Sequence, residues 1–562
     1  MGQVRGRRTG RARPRRLVIA APVLVIAAMV AACGVGEGVE IERSEPIVGA
    51  EPSAPDADPP TTERADEPID TDADPTDEAP ATEEDPTDER GDGTPSDTDD
   101  DDEAPATTAE PSSADDGRPP RTSAGDPLFP ELGSSDLDVQ TYAVKLNASD
   151  PSGELTGSVE IVTLVDTDVD AIALDADGPE VERVIVDGQG TPFENESGEL
   201  IIDTSADQVA DGEATIVVHY RVTPTVRISA VGLPVGWIVA GDGAYVLNEP
   251  DGASTWLPSN DHPSDQAVWT FEITVGADHV ASANGQLLSR PDPGTAGRWV
   301  WRQLEPMPTY LVHLVVGDYE VVDGGVVTST DGSEIPLTHL VPSERADRFE
   351  SAIEGVADRI AFFEERFGPY PLERYGLAFV DGLSGLAMET QGRSLFGAED
   401  FEGLPAGTTQ QLLLAHELAH QRFGNAVSPA DWDDLWLNES LTTYAHWLWL
   451  DEIGLQPLEA WAEQMLDVRA TRPGDATGAP TVTNLFGFER YDGGAVVVHA
   501  LRREIGDDAY FELMRTWIDE KVGTSQTTEA FIELAERVHG FPLDDFFDTW
   551  LFAAALPDTY PN

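Results

Sequence analysis

The chain has 562 residues, beyond the size at which a single core keeps growing, so two or more globular units with non-globular segments are expected. Its 105 acidic residues against 34 basic ones give a formal net charge of -71, which excludes a nucleic-acid partner held through phosphate contacts. A field of this sign mainly keeps molecules apart in solution.

The only basic block comes first, where Arg5, Arg7, Arg8, Arg11, Arg13, Arg15 and Arg16 precede an apolar run from Leu17 to Ala32. The run is short for a membrane span and an acidic stretch follows it, so residues 1–32 read as a cleaved signal peptide. The run ends in Val30-Ala31-Ala32-Cys33-Gly34, which resembles the lipobox of bacterial lipoproteins. That resemblance implies that Cys33 becomes the acylated N-terminus and holds the protein on the extracytoplasmic face of the cell membrane. Cys33 is the single cysteine, so no intramolecular disulfide can form. Export by the general or the twin-arginine route is left open.

Residues 33–126 are dominated by Asp, Glu, Pro, Thr, Ala and Ser and cannot bury a core. They read as a disordered, self-repelling spacer. Residues 127–341 change texture to short β-rich segments, such as Val159 to Val165, Thr215 to Tyr220 and Trp269 to Val275, punctuated by Gly, Asp, Asn and Pro. They predict an antiparallel sandwich or saddle-like sheet domain. Residues 342–562 turn helical, with apolar residues at three-to-four spacing over 345–367, 408–423, 439–453, 459–470, 494–505 and 509–521. The fold class expected is α+β, with the sheet domain followed by a mainly helical one.

The chemistry lies in the helical part. In Leu412-Leu-Leu-Ala-His416-Glu417-Leu-Ala-His420, the periodicity predicts a helix that sets His416 and His420 one turn apart on the same face. Two imidazoles so spaced reach one zinc ion, and Glu417 beside them can serve as general base on the hydrolytic water. Glu439, in Trp436-Leu-Asn-Glu439-Ser-Leu-Thr-Thr-Tyr on a second predicted helix, offers the third ligand. Two His and one Glu leave a coordination position open, as hydrolysis requires.

These segments resemble the gluzincin aminopeptidases, the aminopeptidase N family. Collinear stretches extend the likeness: Glu249-Pro-Asp-Gly-Ala, Trp256-Leu-Pro-Ser-Asn-Asp-His-Pro-Ser-Asp265, Met307-Pro-Thr-Tyr-Leu, Phe362-Phe-Glu-Glu-Arg-Phe-Gly-Pro-Tyr-Pro371, Ala387-Met-Glu389 and Tyr491-Asp-Gly-Gly-Ala-Val. The resemblance implies a thermolysin-like catalytic domain with one zinc ion and peptide substrates. It implies that Glu389, on the family's Gly-Ala-Met-Glu-Asn strand, and Glu249, in the sheet domain, bind the substrate α-amine. It also implies that Tyr491 donates a hydrogen bond to the developing oxyanion. Leu386 and Thr390 replace the Gly and Asn of the motif, Gly493 replaces a Lys after the tyrosine, and Leu247 stands where some members carry Gln.

His446 and His499 read as packing histidines, and His262 as a turn or interdomain contact. A thermolysin-type endopeptidase, an epoxide hydrolase and a catalytically idle surface lipoprotein remain as alternatives. Nothing in the sequence sets the oligomeric state or the preferred N-terminal residue.

Overall fold

Strict alternation builds the first domain. Ala267–Val275 buries every second side chain, Ala267, Trp269, Phe271, Ile273 and Val275, as a period-two strand against a core must. It belongs to an eight-stranded sheet in which Leu137–Asn147, Leu155–Val165 and Glu213–Val222 follow one another as neighbours. Here the structure amends the expected antiparallel order, because Leu137–Asn147 pairs with Ala267–Val275 in parallel. A long connection through the rest of the domain separates these two strands, and it provides the crossover that a parallel pair requires.

The computed structural model describes residues 119–561, apart from 167–168, 205–211, 403–406 and 473. The expected signal peptide, the Cys33 lipidation site and nearly all of the acidic spacer lie outside the described residues. Among those described, no helix is long and apolar enough to cross a membrane.

Two expected domain boundaries shift. The composition predicts spacer through residue 126, but Asp126 is buried and accepts the backbone N–H groups of Leu128, Phe129 and Trp432 at 2.7 Å. The folded body thus begins before this residue, because a buried carboxylate must be hydrogen-bonded into its surroundings. The strand pattern predicts a sheet domain through residue 341. Strands Tyr319–Thr328 and Glu334–Pro342 instead form one edge of a five-stranded sheet with Leu377–Val380, Ser394–Gly397 and Ala387–Met388, and so belong to the helical domain. A period-two pattern does not say which sheet a strand will join.

Among the described residues, the helices of seven residues or more are α1 (Val356–Phe367), α2 (Thr408–His420), α3 (Trp436–Glu452), α4 (Leu458–Thr471), α5 (Asp492–Ile505), α6 (Asp507–Lys521), α7 (Thr528–His539) and α8 (Asp544–Trp550). The first six match the expected ones to within a few residues, except that 345–355 forms 3-10 and short α turns ahead of α1. The apolar cluster of the sheet domain continues through Leu340, Ala378, Met388 and Leu395 to Trp432 and Leu435. The two domains therefore share a core, which fixes the sheet domain's loops against the helical domain's site.

Candidate active site

Helix α2 is capped at its start, where Gln410 Oε1 accepts the Gly407 N–H at 3.0 Å, and it is buried from Leu413 to His420. His416 and His420, four residues apart on one face, bring their ring centroids to 4.6 Å. The helix breaks in the turn Gln421–Asn425, where Gly424 adopts φ +118°, and a side chain there would press on Asn438 and the His420 ring. Helix α3 then crosses α2 with Glu439 in its first turn. Against it packs α5, close enough that a Cβ on Gly494 would overlap the Ser440 hydroxyl. Ser440 Oγ donates to Arg490 O at 2.6 Å, which holds Tyr491 beside Glu439.

These contacts set three ligand atoms in a triangle. His416 Nε2 and His420 Nε2 are 3.1 Å apart, and Glu439 Oε2 lies 3.2 and 3.4 Å from them. Ligand atoms about 2.0–2.1 Å from a tetrahedral zinc stand about 3.3 Å from one another, so the triangle fits that ion. The hydrogen bonding agrees. Glu439 Oε2 is buried without a hydrogen-bond partner, while Oε1 accepts the Tyr491 hydroxyl at 2.9 Å. His420 Nδ1 lies 3.0 Å from Phe423 O, a pure acceptor, so Nδ1 carries a proton and Nε2 is the nitrogen that faces the triangle and would bind a metal. Burial alone would raise the Glu439 pKa, yet the charge of a protonated His420 and the hydrogen bonds from His416 and His420 bring it down to about 2, while the surrounding carboxylates push His420 up to about 10; a bound zinc ion would take the place of that proton.

The His416 ring is held by a residue that sequence reasoning took for packing. His446, two turns along α3 from Glu439, puts its Nδ1 3.1 Å from His416 Nδ1. Burial holds His446 well below the usual imidazole range, so it is neutral and can accept the His416 Nδ1–H. The available signal was the seven-residue spacing from Glu439 to His446, which places both on one helix face. His499, by contrast, is a packing residue as expected, bonded to Tyr444 Oη at 3.0 Å.

Three further acids close the site. A carboxylate oxygen of Glu389, one of Glu417 and a ring nitrogen of His420 lie within 4.8 Å of one another. Burial pushes the Glu417 carboxyl well up, the direction a general base needs. Glu389 follows the edge strand Ala387–Met388. Its backbone oxygen accepts Gln421 Nε2 at 3.0 Å and Asn425 Nδ2 at 2.6 Å, which ties that edge to the end of α2. Glu249 arrives from the sheet domain, on the loop after Gly243–Leu247, next to Asn248, which donates to Thr309 O and Val312 O. Glu249 Oε1 and Glu389 Oε1 are both buried without hydrogen-bond partners. Burial raises the pKa of both, and Glu389 adds to the shift of Glu249. Leu233, Leu386, Leu412, Phe486 and Phe488 supply apolar lining to the same cleft.

Two of the replaced motif positions, Thr390 and Leu247, turn away from the cleft. Thr390 spends its hydroxyl on Arg393 O and faces His313 Nδ1 at 3.3 Å, so it is not directed at the cleft. Leu247 is buried and does not line the cleft, whereas Leu386 does.

A β-rich domain packed on a mainly helical one, with a His-His-Glu triangle and an adjoining Glu on the cleft floor, defines a two-domain metallopeptidase of the gluzincin type. The Peptidase M1 N-terminal domain matches residues 139–311 and the Peptidase family M1 domain matches residues 351–550; the chain belongs to peptidase family M1. Aminopeptidase M1-D of Oryza sativa subsp. japonica is 26% identical over 319 residues, covering 54% of this chain and 36% of that protein. Aminopeptidase N of Haemophilus influenzae is 24% identical over 410 residues, covering 69% and 46%. The chain thus spans less than half the length of these two relatives. Among solved structures, a mutant two-domain M1 zinc metallopeptidase bound to L-arginine superposes with a TM-score of 0.70 at 28% identity, over 78% of this chain and 99% of that one. A mutant M1 zinc metallopeptidase from Deinococcus radiodurans bound to a Tyr-Ser-Ala substrate gives 0.69 at 27%, over the same shares.

Proposed function

We propose that this protein is a zinc aminopeptidase that removes N-terminal residues from peptides outside the cell membrane. The observation that carries the reading is the pair of buried carboxylate oxygens without hydrogen-bond partners, Glu249 Oε1 and Glu389 Oε1, beside the ligand triangle, the second of them 3.9 Å from His420 Nδ1. Two acids that repel each other in a desolvated cleft call for a cation, and the ammonium of a free peptide N-terminus is one that a peptidase would meet. An endopeptidase has no use for such a pair.

His416, His420 and Glu439 would hold one zinc ion, which when bound supplies Lewis-acid polarisation of the scissile carbonyl and makes the hydrolytic water more acidic. Glu417 takes the proton of the attacking water and later delivers it to the leaving amine. Tyr491 turns its hydroxyl to the carbonyl oxygen as that atom gains negative charge. Glu249 and Glu389 fix the N-terminus, so cleavage falls one residue in.

The location rests on the lipobox-like segment ending at Cys33 and on the long acidic spacer, which would hold the folded body off the surface. The test of the activity is a panel of aminoacyl reporter substrates given to the purified protein with and without a zinc chelator. Turnover that chelation abolishes and zinc restores supports the reading. Turnover indifferent to chelation contradicts it.

A further inference from the structure

A second group of ligand-type side chains stands outside the cleft, where three separate segments meet. Asp126 comes from the segment leading into the first strand, His262 from the Asn-Asp-His-Pro loop of the sheet domain, and Asp431 from the turn that leads into α3. His262 is buried, and its Nδ1 is bonded to Ser264 Oγ at 2.7 Å. Its Nε2 has no hydrogen-bond partner and faces Asp126 Oδ2 at 3.5 Å and Asp431 Oδ1 at 3.8 Å. One ligand atom from each of the three residues lies within 4.8 Å of the others.

Asp126 is rigidly aimed, since Oδ1 accepts the Leu128 and Phe129 N–H groups and Oδ2 accepts that of Trp432. Phe129, Trp432 and Tyr310 pack edge to face alongside, with centroids 6.3 and 5.2 Å apart, and make a low-dielectric wall. Asp433 stands near the same corner, where burial and then the Asp431 and Asp126 carboxylates push its pKa up. Among the described residues no Arg or Lys forms an ion pair with Asp126 or Asp431. The side chain of Asp431 is 38% exposed, so this corner is open to entry and to water ligands.

We propose that Asp126, His262 and Asp431 bind a second divalent cation, of the first-row transition class, which clamps the sheet domain and its leading segment to the helical domain. One imidazole nitrogen with two carboxylates suits zinc, manganese or cobalt, whereas calcium and magnesium prefer all-oxygen sets. The two separations from His262 Nε2 exceed those of the 3.1–3.4 Å ligand triangle by a few tenths of an ångström and the Asp126–Asp431 edge is within 4.8 Å, gaps that movement of the half-exposed Asp431 can close. The role is structural, because none of the three residues lines the cleft.

The experiment starts from protein whose catalytic site is filled with zinc and freed of excess metal, and titrates it with Co²⁺ while zinc content, cobalt content, melting temperature and peptidase activity are read together. The expected result is one added equivalent of cobalt with zinc retained, activity unchanged and a higher melting temperature. Asp431→Asn, at the half-exposed position, keeps the fold and should weaken cobalt binding at least tenfold without changing activity. His262→Gln should abolish it. No cobalt uptake beyond displaced zinc overturns the proposal, and so does uptake that both variants leave unchanged.

Discussion

His446 Nδ1 lies 3.1 Å from His416 Nδ1, so one buried imidazole orients another that faces Glu439 with its opposite nitrogen. With His446 as the acceptor, His416 must carry its proton on Nδ1 and offer Nε2 as a lone pair, which is the state a metal ligand needs. His446→Phe fills the space without accepting a hydrogen bond. It should weaken zinc binding about 10–100-fold, the usual effect of removing a group that orients a ligand, and competition with a chromogenic chelator measures this. Unchanged affinity would return His446 to packing alone.

Glu417→Gln keeps shape and hydrogen bonding while giving up the base. It should retain one zinc per chain by metal analysis and lose on the order of a hundredfold or more in kcat. A folded, zinc-loaded variant of normal activity would remove Glu417 from the mechanism.

Cys33→Ser should release the protein from washed membranes into the soluble fraction, because acyl chains on that cysteine are the proposed anchor. A variant that still sediments with membranes would place the anchor elsewhere, in a retained leader or another surface.

The candidate metal ligands and general base were legible because their spacing is local. His416, Glu417 and His420 occupy one helical turn, and a four-residue spacing specifies a shared face whatever surrounds the helix. Glu439 was reachable because its own helix could be read. His446 was not, since its contact to His416 arises only when α3 crosses α2, and its apolar neighbours Trp447, Leu448 and Trp449 mark it equally well as core. The orphaned oxygens of Glu249 and Glu389 were invisible for the same reason, although their alignment with family motifs pointed to both residues. Strands 319–342 look like those before them, so the boundary was drawn too late. Asp126 sits in a composition that reads as spacer. Helix α7 carries its own signals, Thr527 capping its start and Gly540 its end, around a short apolar face of Phe531, Leu534 and Ala535.

The central claim, that Glu249 and Glu389 make this an exopeptidase, is tested most directly by comparing free and N-acetylated versions of one peptide series with the parent protein and Glu389→Ala. The free peptides should be cut one residue at a time by the parent. Glu389→Ala should lower kcat/KM for them by an amount equivalent to about 2–5 kcal/mol, the effect of leaving a desolvated ammonium without its partner. The N-acetylated peptides carry no such charge, so they should be poor substrates for the parent and should suffer no further loss in the variant. Internal cleavage of N-acetylated peptides by the parent at rates comparable with the free ones would contradict the account and establish an endopeptidase instead.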